Sequence, residues 1–176
     1  MTRPFVFVIF VLLVHSSIAS PAEIKITEPA ITKKSYNQTS ADELFRMVIA
    51  ATKANDINRA ARLWILASTY CSYDAMRVAH YSGAAKMAML QMSTASALES
   101  SQAELNQAVA SQLAEPEELA KWIALQGQPQ YYPSYMLNNI PGQAQASASP
   151  QPRALAAGFD SKKTWQDILD RLMLKN

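Results

Sequence analysis

The stretch SADELFRMVIAATKANDINRAARLWILASTY, residues 40–70, decides the fold class. Its apolar side chains recur every three or four residues, the period of a helix with one buried face. Ser40 and Glu43 have the spacing of a helix capping box, and Asp56 can cap a second helix after a short break. The two apolar stripes contain Leu44, Met47, Val48 and Ala51, then Ile57, Ala60, Ala61 and Trp64, flanked by Leu63, Ala67 and Tyr70.

Further helices follow at similar spacing. A third helix is predicted from near Asp74, with Gly83 at a close helix crossing, and serines between residues 93 and 101 end or bend it. Its apolar face contains Val78, Tyr81, Ala85, Met89 and Met92 and is predicted to be core, and the alternative is that its methionines form an adaptable partner surface. Ser101 and Glu104 form a second capping box before a fourth helix, whose stripe contains Leu105, Ala108, Val109 and Leu113.

The composition of the rest of the chain changes twice. Pro116 suits a first helical position and Gly127 a helix end, which predicts a fifth helix with Leu119, Trp122 and Ile123 inside. An aromatic segment, residues 131–136, follows, with one short helix expected from Pro133. Residues 141–158 are rich in Gly, Gln, Ala, Ser and Pro and predict a flexible linker. The chain closes in an amphipathic helix capped by Asp160 or Ser161, with an apolar stripe of Trp165, Ile168, Leu169 and Leu172.

These patterns predict an all-α protein, a small bundle of about five to six helices with a flexible linker before the C-terminal helix. The expected organisation is a signal peptide over 1–19, an irregular lead-in over 20–39 and a helical domain over 40–140. The linker over 141–158 and the C-terminal amphipathic helix over 159–176 complete it. The stripe of the last helix is expected to dock on its own bundle, and docking on a partner protein is the alternative.

The N-terminus has the composition of a secretory signal. Arg3 precedes an unbroken run of ten apolar residues, residues 5–14, and small residues follow up to Ala22. Ten residues are about half the length of a membrane-spanning helix. Cleavage is expected after Ala19, or alternatively after Ala22. The sequence therefore predicts a periplasmic or secreted protein with no stable membrane anchor after cleavage.

Charge and ligand-forming residues exclude several classes of function. Without Arg3, 15 basic residues face 14 acidic ones, and no basic cluster typical of a nucleic-acid binder is present. Cys71 is the single cysteine, so an intramolecular disulfide is impossible, and its apolar surroundings predict a buried structural thiol. His80 is the only histidine beyond the signal. We therefore expect no metal site and no cofactor.

Catalytic motifs are scarce, and no catalytic residue is predicted. Cys71 and His80 form the one conceivable nucleophile and base pair, although no motif surrounds either. The triplet Glu99-Ser100-Ser101 resembles the Glu-Ser catalytic start of lytic transglycosylases, but the Gly-Leu-Met-Gln motif of that family is not matched downstream. An envelope, peptidoglycan-directed hydrolase is therefore kept as an alternative function, beside a carrier of an apolar ligand.

One helix also shows a repeat-like pattern. Residues 60–67, after Asn55-Asp56, resemble one helix of a tetratricopeptide or Sel1-like unit. The pattern does not recur 34 to 40 residues away, and a solenoid needs stacked repeats. No family is inferred from it.

The chain has many helical and aromatic residues that could form a surface, which favours binding of a protein partner. The protein could be an immunity protein that binds a toxin, or an accessory subunit of an envelope assembly. Tyrosine and tryptophan are enriched among residues that dominate interfaces. The aromatic segment and the last helix flank the predicted linker, so the partner-binding residues are predicted there: Tyr131, Tyr132, Tyr135, Met136 and Trp165.

Overall fold

The computed structural model describes residues 35–78, 83–137 and 156–173. Helices make up 79% of these residues and no strand occurs among them, which confirms the predicted all-α class. The elements are α1 (Ala41–Lys53), α2 (Ile57–Arg77), α3 (Gly83–Leu98), a 3-10 turn (Glu99–Ser101), α4 (Gln102–Leu113), α5 (Pro116–Gln126), α6 (Ser134–Leu137) and α7 (Ser161–Met173). The predicted signal peptide, residues 1–19, and most of the predicted linker lie outside the described residues.

Helix α2 is the centre of the bundle. It packs against α1, α3, α4 and α7, and nearly every residue from Ala60 to Val78 is buried or half-buried. Small residues such as Ala60, Ala61 and Ala67 allow neighbouring helices to approach closely. Tyr70 and Tyr73 fill the larger spaces. Because α2 is covered from several sides, its sequence is apolar beyond the single stripe of an ordinary surface helix.

The predicted boundary between the second and third helices is wrong. Asp74 does not start a helix, because α2 continues through it to Arg77 and α3 begins only at Gly83. The predicted close crossing is confirmed: a Cβ atom added at Gly83 would lie 2.6 Å from the Cβ of Ala75. Helices α2 and α3 therefore meet at a point where α3 has no room for a side chain at position 83.

Four other helices, α1, α2, α4 and α5, start at the predicted positions, but the capping differs from the prediction at two of them. Asp56 caps α2 by accepting from the Arg59 amide at 3.3 Å, and Pro116 opens α5 as predicted. The two capping boxes do not form. The Ser40 hydroxyl donates to Asp42 at 2.6 Å instead of accepting from the backbone, and Ser101 makes no side-chain cap.

The C-terminal helix docks on the bundle, as expected. Trp165, Ile168 and Leu169 are buried, and α7 packs against α2 and α5. The Trp165 ring lies 5.9 Å from the Tyr70 ring and 6.0 Å from the Tyr73 ring, measured between centroids. Asp160 caps the helix by accepting from the Lys163 amide at 3.0 Å.

Candidate functional site

The predicted partner-binding residues lie against α2, at a buried carboxylate. Tyr135 and Met136 are buried, and Tyr131 and Tyr132 are half-buried. Trp165 is only 9% exposed. The structure therefore brings Tyr131, Tyr135 and Trp165 close to the same end of α2, where their side chains contact this chain itself. Their role toward a partner stays a prediction.

Asp74 is the centre of this cluster and is fully buried. The Tyr131 and Tyr135 hydroxyls both donate to its Oδ2, at 2.8 and 2.6 Å. Its Oδ1 lies 2.7 Å from Nη2 of Arg77, one helical turn further along α2. A buried charge needs such partners, because an unpaired carboxylate loses several kcal/mol of hydration.

Arg77 lies between two aromatic rings. Its guanidinium carbon is 5.3 Å from the Tyr73 ring centroid and 5.1 Å from that of Tyr131, both within the range of a cation–π contact. The backbone carbonyl of Arg77 accepts from the Ala156 amide at 2.8 Å. Arg77 thus joins the aromatic segment and the start of the C-terminal segment to α2.

The Tyr131 hydroxyl also reaches α1. It accepts from the Ala41 amide at 3.2 Å, which satisfies one of the free N–H groups at a helix start. Asp74, Arg77 and the two tyrosines therefore tie together α1, α2 and the aromatic segment. We call these four residues the Asp74 cluster.

Burial shifts the pKa values of Asp74 and of Cys71, one helical turn before it on α2. Burial raises the pKa of Asp74 to about 6, although Arg77 and the two tyrosine hydroxyls act to lower it. Burial also raises the pKa of the Cys71 thiol to about 12. Because the thiolate is the reactive form, a thiol with this pKa is a weak nucleophile at neutral pH. The prediction that Cys71 is buried is confirmed.

The second unusual feature is the outer face of α3. Its exposed residues include no charged side chain, and Met89 and Met92 are 63% and 72% exposed. The prediction that these methionines are core is therefore wrong. The inner face of α3 is formed by other residues, with Thr94 and Leu98 buried. We call the outer face the α3 surface: Ala84, Ala85, Ala88, Met89, Met92, Ser93, Ser96 and Ala97.

The α3 surface differs from the outer faces of the neighbouring helices. Exposed positions of α1 carry Glu43, Arg46 and Lys53, and those of α7 carry Lys162 and Lys163 among others. A helix with an apolar inner face normally shows charged or strongly polar residues outside. Instead, the outer face of α3 has small side chains and two methionines. Such a face is typical of a helix that contacts another molecule on its outer side.

The hydrolase alternative names Glu99, and Cys71 with His80. Glu99 is exposed on the 3-10 turn, and its side chain makes no hydrogen bond or ion pair with a described residue. His80 lies outside the described residues. Within the described ranges, no three His, Cys, Asp or Glu side chains are grouped closely enough to hold a metal ion. No helix there combines the length and hydropathy needed to cross a bilayer.

Comparison with known proteins adds no relative. No family model matches the chain, and neither a curated protein nor a solved structure shows significant similarity to it.

Two features were missed from the sequence. Asp74 lies four residues after Tyr70, and Arg77 lies three residues after Asp74. Their position on the buried stripe of α2 could therefore have been predicted. For α3, the signal was the absence of any charged residue between Lys86 and Glu99.

Proposed function

We propose that this chain is an exported protein that binds a protein partner through the α3 surface. The observation that carries the proposal is the exposure of Met89 and Met92 among alanines and serines, without a charged residue on that face. Burying a methionine side chain contributes about 1.5–3 kcal/mol, and flexible thioethers adapt well to a partner surface. The small alanines and serines let a partner backbone approach closely.

The α3 surface supports this function better than the aromatic segment does. Tyr131 and Tyr135 already donate to Asp74, so a partner that engaged their hydroxyls would have to break bonds to a buried carboxylate. Removing those bonds costs more than removing bonds to neutral groups. The α3 surface needs no such rearrangement, because its methionines are already exposed.

Export is part of the proposal because of the composition of residues 1–22. An immunity protein that neutralises a toxin, or an accessory subunit of an envelope assembly, would use a surface of this kind. N-terminal sequencing of the protein from its producing cells tests export: the chain is expected to begin at Ser20 or Glu23. A soluble cytoplasmic protein that retains Met1 would contradict this part of the proposal.

Position-specific photo-crosslinking tests the binding surface. A photoreactive amino acid replaces Met92 in one variant, and Gln166, on the exposed polar face of α7, in a matched control. Irradiation in the producing cells is expected to yield a defined covalent product from position 92 and none from position 166. When Met89→Glu is added to the variant with the photoreactive residue at position 92, the covalent product should disappear, because the new carboxylate places a charge in the apolar contact. Equal yields from both positions would contradict the proposal.

A further inference from the structure

The aromatic segment, residues 131–136, meets α2 at a buried carboxylate. The Tyr131 and Tyr135 hydroxyls both donate to Oδ2 of Asp74, at 2.8 and 2.6 Å. Backbone hydrogen bonds inside the segment join only residues two or three positions apart, so they do not tie it to the bundle. These polar contacts between the segment and α2 therefore converge on one titratable side chain.

The charge of this carboxylate is only partly compensated. Nη2 of Arg77 lies 2.7 Å from Oδ1 of Asp74, but the pair lacks the geometry of a hydrogen bond. Oδ1, and Nε and Nη2 of Arg77, are all buried without a hydrogen bond to a described residue. A fully buried carboxylate with an unsatisfied oxygen is costly. Two changes would relieve this cost: hydration of the carboxylate, or its neutralisation by a proton.

Neutral Asp74 is compatible with the closed arrangement. A proton on Oδ1, which makes no hydrogen bond, leaves Oδ2 as the acceptor of both tyrosine hydroxyls. Arg77 keeps other compensation for its charge. Its guanidinium contacts the rings of Tyr73 and Tyr131 at 5.3 and 5.1 Å, and it lies in the last turn of α2, where the helix dipole favours a cation.

The other groups around Asp74 do not change charge near pH 6. Burial raises the pKa of Cys71 to about 12 and raises the pKa values of the tyrosines nearby. The pKa that burial raises to about 6 belongs to Asp74 itself. Helix α7 contributes Trp165, which does not titrate. The titratable and charged side chains facing this junction from α2, the aromatic segment and α1 are Tyr70, Cys71, Tyr73 and Arg77, Tyr131 and Tyr135, and Asp42, which acts on Cys71.

Release of the aromatic segment can be local. Its helical part, α6, has only four residues. The Ala41 amide, which donates to the Tyr131 hydroxyl, lies at the start of α1, where water can replace a lost partner. The contacts of Trp165 with Tyr70 and Tyr73 do not involve the segment, so α7 can stay docked.

From this junction we infer that the aromatic segment is a pH-sensitive cover on α2. It is closed while Asp74 carries a proton, and it is released when Asp74 ionises, with the rest of the bundle folded. Release turns the carboxylate toward water, which supplies the hydrogen bonds that the closed arrangement lacks. The inference goes beyond the proposed function, because the α3 surface takes no part in it.

The direction of the pH dependence follows from proton linkage. The pKa of Asp74 is about 6 in the closed arrangement, against an ordinary value of 3.8 for a hydrated carboxyl. The proton therefore stabilises the closed arrangement fully below about pH 4, and this stabilisation is lost as the pH rises through about 6. The ratio of closed to open molecules should fall about fiftyfold between pH 4 and pH 7.

The single cysteine of the chain reports on the cover. Cys71 is buried, and its thiol lies within hydrogen-bonding reach of the Tyr135 hydroxyl, so displacement of Tyr135 uncovers it. The protein isolated from its producing cells is reacted with dithiodipyridine over a series of pH values. Each rate is divided by the rate for the urea-unfolded protein at the same pH, which removes the intrinsic pH dependence of the thiol.

The normalised rate of the wild type is expected to rise about fiftyfold between pH 4 and pH 7 and to level off above about pH 7. In Asp74→Asn, which does not titrate at this position, it should change less than about threefold. A flat wild-type profile overturns the inference, and so does a rise of the same size in Asp74→Asn. The wild-type profile decides by itself if the variant does not fold.

A second probe separates local release from unfolding of the whole bundle. Val48, on α1, is fully buried, and the variant Val48→Cys/Cys71→Ala places the only thiol there. At pH 7 this thiol should react at least about tenfold more slowly than Cys71 in the wild type, and the rate of Cys71 should depend only weakly on low concentrations of urea. Equal rates at the two positions, both rising steeply with urea, would overturn a local cover.

Discussion

Asp74→Asn is expected to remove a large part of the pH dependence of stability between pH 4 and pH 7. The Asp74 carboxyl is fully buried, and this burial raises its pKa from 3.8 to about 6. Because the pKa in the folded state lies above the unfolded value, the native protein binds this proton more tightly. The stabilisation from this group is therefore fully present below about pH 4 and is lost as the pH rises through about 6.

The magnitude follows from the difference between the two pKa values. They differ by about two units, and each unit corresponds to about 1.4 kcal/mol, so the group contributes about 3 kcal/mol between pH 4 and pH 7. Asparagine has nearly the same shape and does not titrate. The other carboxyl groups titrate in both proteins, so the difference between wild type and variant isolates Asp74.

Urea unfolding followed by far-ultraviolet circular dichroism measures this difference at a series of pH values. The unfolding free energy of the wild type, minus that of Asp74→Asn, should fall by about 3 kcal/mol as the pH rises from 4 to 7. Parallel pH profiles of the two proteins would refute the assignment of a buried, titrating carboxylate at this place.

Three further substitutions test the packing by urea unfolding at pH 7. Tyr135→Phe should cost about 1.5–3 kcal/mol because its hydroxyl donates to a buried carboxylate, whereas Tyr70→Phe removes a bond to a backbone carbonyl and should cost about 0.5–1.5 kcal/mol; equal losses would contradict the charged acceptor. Gly83→Ala should cost about 1–3 kcal/mol, since the new methyl group meets Ala75 at 2.6 Å, and an unchanged stability would mean a looser crossing. Trp165→Ala should cost about 3–5 kcal/mol, and a loss under about 1 kcal/mol would show that α7 is not docked.

The presence of most helices could be predicted from the sequence, because the sequence signals for a helix are local. Pro116 and Gly127 mark the ends of α5 through their own backbone geometry, and Gly127 has a φ of 78° that suits glycine. The stripe of α7 predicted that Trp165, Ile168 and Leu169 would be buried. Each of these signals lies within a few residues of the feature that it predicts.

The end of α2 was not predictable from local signals. Asp74 resembles a helix cap, because an isolated carboxylate is costly inside a protein. It is tolerated mid-helix since Tyr131 and Tyr135 reach it from 57 and 61 residues further along the chain. Spacing along the chain does not show that such distant donors will meet a carboxylate. The buried part of the candidate site was missed for this reason.

The α3 surface was missed for a different reason. Periodicity predicts which residues share a helix face, but it does not say which face is turned inward when neither carries charge. Met89 and Met92 were assigned to the core because they are apolar and were predicted to share a helix face with Val78 and Tyr81, but Thr94 on the opposite side is buried instead. The missing charge on the outer face was the better guide.

Methionine oxidation tests most directly whether the α3 surface is covered in the native setting. In the free chain, Met92, Met89 and Met173 are 72%, 63% and 45% exposed, so dilute peroxide should oxidise them in that order. Within the producing cells we expect the reverse order: Met173 oxidises first, because Met89 and Met92 are protected. In the Met92→Glu variant, Met89 should lose this protection. If Met92 and Met89 oxidise ahead of Met173 in cells as they do in the free chain, the α3 surface is uncovered and the central claim is contradicted.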